Sequence, residues 1–107
     1  MSKLNINKRK LAFWGIGAEL RYFQENVVLE NDIYIDGNID KRDMLIDGKR
    51  IVYSGDIQDW ENYFIVVTTM KYYPEISEML QEKGLQEEKD YIYYRKLLPT
   101  ERKLSEM

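Results

Sequence analysis

Two glycines in "AFWGIGAEL", Gly15 and Gly17, stand where an apolar run meets an amphipathic one. Phosphate-binding chains need glycine at such a junction. In the dinucleotide fingerprint the first glycine permits a tight turn, the second lets the backbone approach a pyrophosphate, and the third allows close helix-to-strand packing. Gly15 and Gly17 supply the first two, and Leu20 occupies the third position. With Ile16 between the glycines, the N–H groups of Gly17, Ala18 and Glu19 would open a helix whose N-terminus carries roughly half a positive charge.

Leu20 is expected to hold helix and strand further apart than a glycine would. Glu19 is expected to satisfy the helix terminus and to compete with or repel a bound phosphate. On these residues alone, a structural turn without ligand explains the glycines as well as a phosphate cradle does. Asp36 favours the cradle. It follows Gly17 by nineteen positions at the end of "DIYID", where such folds place the acid that accepts hydrogen bonds from ribose hydroxyls. Its structural alternative is an Asp-Gly turn. Asn38, two residues on, joins the candidate set. Thr68 and Thr69 end the strongest strand-like run, "YFIVVTT"; if strand order reverses beside the first strand, they face the same crevice. Otherwise they cap the turn that follows.

Other chemistry is thinner. The segment from Asp36 to Asp47 has oxygen side chains at Asp36, Asn38 and Asp40, but a calcium loop needs glycine sixth and glutamate twelfth, where this chain has Lys41 and Asp47. Calcium is set aside. Cysteine and histidine are both absent, which removes disulfides, thiolate nucleophiles, Ser-His-Asp triads and the usual zinc sites. Among the tyrosines, Tyr72, Tyr73, Tyr91, Tyr93 and Tyr94 are able to stack on a base, although core edges and interfaces use tyrosine as readily. No catalytic residue emerges.

The elements that must position these residues read as β, α, β, hairpin, β, α, β. "LAFW" (11–14) is a strand buried on both faces. From Gly17, Leu20, Phe23 and Val27 recur at helical spacing. "DIYID" (32–36) is a second strand, and Asp47-Gly48 between "MLI" and "RIVY" marks a tight hairpin or a short third strand. "YFIVVTT" (63–69) is a central strand. After it, "KYYPEISEMLQEKGL" has Pro74 at the first helical position, Glu75 and Glu78 near the positive end, and an apolar stripe of Ile76, Met79 and Leu80. Gly84 suits the left-handed position past the helix, with Leu85 folding back on Leu80. "DYIYY" (90–94) is the last strand, and "PTERKLSEM" begins a helix.

The chain has 107 residues, 44% hydrophobic and 33% charged, with a net charge of −3. One folded domain spanning 1–107 is expected, with 1–9 as a lead-in and 99–107 as the start of a C-terminal helix, either whole or cut from a longer protein. The balance disfavours nucleic acid, and the cluster Lys8, Arg9, Lys10 reads as a solvated lead-in. No apolar run approaches the ~18 residues of a membrane span, and no signal peptide precedes the first strand, so a cytoplasmic location without membrane attachment is expected.

Over residues 9 to about 98, the blocks "FWGIGAELR", "YIDGN", "IDGKRIVYSGDI", "YFIVVTT" and "YYPEISEMLQEKGLQEEKDYI" resemble small Rossmann-like modules attached to bacterial enzymes of cell-surface polysaccharide and nucleotide-sugar metabolism. The resemblance implies a nucleotide-binding or nucleotide-sensing fold with Gly15, Gly17 and Asp36 at the matching positions. It also implies that catalysis belongs to a neighbouring domain.

The expected fold is therefore α/β: a small Rossmann-like three-layer fold with a mostly parallel sheet of about four to five strands. The expected binding set is Gly15, Ile16, Gly17, Ala18, Asp36, Asn38, Thr68 and Thr69, with a nucleotide, a nucleotide-sugar or NAD as ligand and no metal. A chain this short lacks the second half of a dinucleotide domain, which favours a mononucleotide or nucleotide-sugar. The competing expectation is a ligand-free interaction domain, a homodimer or the partner of a fused catalytic domain. A small oxidoreductase or methyltransferase would need catalytic groups that the chain does not display.

Overall fold

The computed structural model describes residues 6 and 8–98. The helix expected to begin in "PTERKLSEM" lies outside the described residues. The regular elements are β1 (Lys10–Trp14), α1 (Ala18–Asn26), β2 (Ile33–Asp36), β3 (Leu45–Ile46), β4 (Lys49–Tyr53), β5 (Tyr63–Val67), α2 (Tyr73–Glu82) and β6 (Tyr91–Tyr93), joined in part by short 3-10 turns. They build an α/β fold around one six-stranded sheet in the order β3-β4-β2-β1-β5-β6. All neighbours are parallel except β3 and β4.

The sixth strand, beyond the four to five expected, comes from the hairpin. Asp47 and Gly48 adopt φ of 52° and 79°, the paired left-handed conformation of a type I′ turn, whose twist matches that of the strands it joins. Ile46 consequently faces Lys49, and Leu45 faces Arg50.

Successive strand residues point to opposite faces, and both faces are covered. Leu11 and Phe13 join Leu20, Phe23, Tyr34 and Phe64 in a cluster beneath α1. Ala12 and Trp14 join Ile35, Ile65, Val67, Ile76 and Leu80 in a second cluster beneath α2. Each fully buried aromatic or aliphatic side chain contributes about 1.5–3 kcal/mol of transfer free energy. Phe13 meets Phe23 edge to face at 5.3 Å, and Trp14 stacks on Trp60 at 5.7 Å.

α2 opens at Tyr73, one residue earlier than the sequence reading, so Pro74 falls within the first turn but not at its head. Its missing N–H costs nothing there either, because no N–H of the first turn has an intrahelical partner. At the other end Gly84 has φ of 89°. The Leu85 N–H donates to the Leu80 carbonyl at 3.0 Å, and Leu85 joins the cluster under α2.

The basic lead-in needs correction. Arg9 is not solvated: its side chain is 13% exposed, and its guanidinium pairs with Asp90 at 2.8 Å. It also donates to the Lys89 carbonyl at 3.0 Å and lies over the Phe64 ring. The pair ties the start of β1 to the loop before β6.

The strand order reverses at β1: β2, β4 and β3 extend to one side, β5 and β6 to the other. The loops that follow β1, β2 and β5 therefore leave the same edge of the sheet, side by side.

Candidate functional site

A cleft of about 810 Å³ opens at that edge, and all eight residues of the expected binding set line it. Three segments far apart in sequence meet there because β2 and β5 flank β1.

The floor is the turn after β1. Gly15 has φ of 119°, and a β-carbon there would sit 3.0 Å from the carbonyl carbon, carbonyl oxygen and Oγ1 of Thr68. Conformation and space both demand glycine. The turn is tied to its neighbours on each side. The Gly15 N–H donates to the Ile35 carbonyl at 3.2 Å, and the Thr68 N–H donates to the Trp14 carbonyl at 2.8 Å.

Thr68 does not offer its hydroxyl to the cleft, nor does it cap the following turn. It is 1% exposed, and Oγ1 lies 2.6 Å from the Gly15 carbonyl oxygen and 3.0 Å from that of Trp14. A hydroxyl has one proton to donate, and here it goes to the end of β1. Thr69, half-buried, remains on the wall.

Gly17 differs from Gly15. Its φ of −102° suits any residue, and a β-carbon there would meet nothing within 4 Å. Neither backbone nor packing requires glycine, and the vacant space belongs to the cleft rim. Gly17 is also the N-cap of α1 and provides no side-chain cap, so the N–H groups of the first turn have no acceptor from it. Ala18 is exposed beside it and Ile16 half-buried.

Glu19 lines the cleft but does not occupy the helix terminus in the way its position implied. Its two oxygens accept from the Met70 N–H and from the Tyr94 hydroxyl, each at 2.9 Å. Leu20, in the place of a third glycine, is buried in the cluster under α1 with Phe13 and Phe23.

On the β2 side, Asp36 Oδ1 accepts from the Asn38 N–H at 2.6 Å, closing the Asp-Gly turn. Its second oxygen makes no hydrogen bond among the described residues, which leaves an acceptor at the cleft. The Asn38 side-chain oxygen caps the 3-10 turn 39–41 by accepting from the Asp40 N–H at 2.9 Å. Its amide nitrogen has no partner among the described residues.

The structure adds wall residues that the sequence reading did not include. Lys41 closes the β2 side, and Glu75, Ile76 and Met79 of α2, with Tyr72 at its N-cap, form the opposite wall. Tyr72 is 49% exposed, whereas Tyr91 and Tyr94 are buried, so Tyr72 alone of the five tyrosines considered lines the cleft. Lys41 carried a signal, lying in the segment weighed as a calcium loop. Tyr72 carried one too, as a tyrosine able to stack on a base, whereas Ile76 and Met79 read as core stripe and Glu75 as a helix-terminus acid until strand order is known.

Burial and the hydrogen bond to Glu19 push the Tyr94 hydroxyl up to about 12. Burial, then the bond to Glu87, raises Tyr73 as well. Both phenols therefore stay neutral donors, Tyr94 to the cleft residue Glu19 and Tyr73 to Glu87. No cluster among the described residues is arranged to hold a metal ion, and no described helix is long and apolar enough to cross a membrane.

Comparison with curated proteins and with solved structures produced no match. Comparison with families produced one: residues 7–91, more than half of the sequence, match the family described as C2185-like, N-terminal, and the chain belongs to that family.

Proposed function

We propose that this chain is a non-catalytic, Rossmann-like three-layer module that binds a nucleotide-type ligand in the cleft. The phosphate rests on the turn 15–19 and the ribose on Asp36. The observation that supports this most is Gly17: a glycine that neither its φ nor its packing requires, set at the rim of an 810 Å³ cleft, within the usual size range of ligand sites. The unengaged Asp36 oxygen on the neighbouring loop adds to it, as does the reversal of strand order at β1. Service to a polysaccharide-biosynthesis enzyme rests on the sequence resemblance alone.

Titration calorimetry with UDP-sugars, NAD, CoA and S-adenosylmethionine tests the reading. Binding that is weakened tenfold or more by Asp36→Ala and by Gly17→Val supports it. No heat at millimolar ligand, or affinity untouched by both substitutions, overturns it.

A second reading, a dimerisation domain, has one observation in its favour. Ile39, Met44 and Leu45 are exposed at 52%, 52% and 67% close to the edge strand β3. The tyrosines do not support it, since most are covered. A monodisperse monomer by light scattering would count against it.

A further inference from the structure

The charges that line the cleft limit what it can hold. Three carboxylates, Glu19, Asp36 and Glu75, face it together with one ammonium, Lys41. A cleft of that volume is about 10 Å across, comparable to the Debye length of about 8 Å at physiological salt, so these charges act on any ligand inside.

Two helix N-termini open on the cleft, and each carries a glutamate in its first turn, Glu19 on α1 and Glu75 on α2. These offset the terminal partial charges that would otherwise attract anions. They are not equivalent. Glu19 is turned to Met70 and Tyr94, which leaves the first-turn N–H groups of α1 free to donate. Glu75 is exposed and makes no hydrogen bond among the described residues. Its neighbours on the α2 wall, Tyr72, Ile76 and Met79, present mainly apolar surface.

A ligand phosphate on the turn 15–19 therefore has donors. A second phosphate extending toward α2 would meet, among the cleft-lining residues of that wall, one carboxylate and apolar side chains; the neighbouring cation, Lys71, lies over the Tyr72 ring at 5.3 Å and does not line the cleft.

We infer that the cleft takes a nucleoside bearing a single anionic group, a nucleoside monophosphate, and that Glu75 discriminates against the diphosphates of nucleotide-sugars and dinucleotides. This rests on the nucleotide reading above and narrows it. Glu75 acts as a specificity residue through repulsion: it contributes nothing to the accepted ligand and penalises the rejected one.

The test is calorimetry on the intact chain with AMP, ADP, UMP, UDP and UDP-glucose, for the wild type and for Glu75→Gln. In low-salt buffer, where screening is weak, the monophosphates should bind more tightly than the corresponding diphosphates by up to roughly tenfold, the unscreened effect of one added charge at about 12 Å in a protein-surface dielectric. Glu75→Gln should recover most of the diphosphate affinity and leave monophosphate affinity within about twofold. Added salt should shrink the preference in the wild type. Diphosphates binding as tightly as monophosphates, or a preference unchanged in Glu75→Gln, overturns the inference while the nucleotide reading stands. Absence of binding by all five ligands overturns both.

Discussion

The Tyr94 hydroxyl donates to Oε1 of Glu19 at 2.9 Å across 75 positions of sequence. The other Glu19 oxygen accepts the Met70 N–H, also at 2.9 Å. One carboxylate thus joins the first turn of α1, the loop after β5 and the turn that follows β6. Tyr94→Phe should cost about 0.5–1.5 kcal/mol and Glu19→Ala about 1–3 kcal/mol, because the latter leaves two donors unpaired. Urea unfolding of the two single variants and the double variant checks this. A coupling energy near zero would show that the pair contributes nothing.

The raised phenols should contribute to the loss of stability at alkaline pH, together with Lys96, which its hydrogen bond to Glu88 raises. Burial raises Tyr63, Tyr73 and Tyr94 above the ordinary value of 10.0, Tyr94 to about 12. The folded chain holds these protons more tightly than the unfolded chain, so their contribution is complete below pH 10 and is lost as pH rises towards 12 and beyond. The loss from Tyr94 is on the order of 2 kcal/mol. Unfolding midpoints measured from pH 8 to 12 should fall only above about 10, and less steeply in Tyr94→Phe.

The two glycines of the turn should separate under the same substitution. Gly15→Ala forces a β-carbon to 3.0 Å from Thr68 at a φ of 119° and should cost about 1–3 kcal/mol or more. Gly17→Ala meets nothing within 4 Å and should change stability by no more than about 0.5–1 kcal/mol. Thermal unfolding of the two variants side by side decides it; equal losses would mean that the cleft-facing space at Gly17 has a structural role.

The partly buried pair of Arg9 and Asp90 should matter more than an exposed ion pair. Asp90 receives the guanidinium at 2.8 Å and the Gln86 N–H at 2.8 Å. Asp90→Ala should destabilise by about 1–3 kcal/mol, with weak dependence on salt because burial limits screening. Denaturant midpoints at low and high salt report both quantities.

Much of this was legible in the chain. Helical spacing of Leu20, Phe23 and Val27, the Asp47-Gly48 turn, and the Gly84 stop are local signals, each acting over a few residues through backbone conformation or periodic burial. The glycines and Asp36 were legible for the same reason, since each sits at the end of a strand that announces itself.

The partners of Glu19, Arg9 and Thr68 were not legible. Glu19 reads as a helix-terminus acid, Arg9 as a solvated cation and Thr68 as a crevice-facing hydroxyl or a turn cap, because those are the local uses of such residues. Each instead bonds to a segment more than fifty positions away. By itself the sequence determined the elements, their faces and the residues that end them, because those depend on neighbours within a turn or a strand. The tertiary structure alone decided that β2 and β5 flank β1. That order brings Lys41, Tyr72 and Glu75 around the same turn, and strand order follows from how two apolar faces are covered at once, a property of the whole chain and of no single stretch.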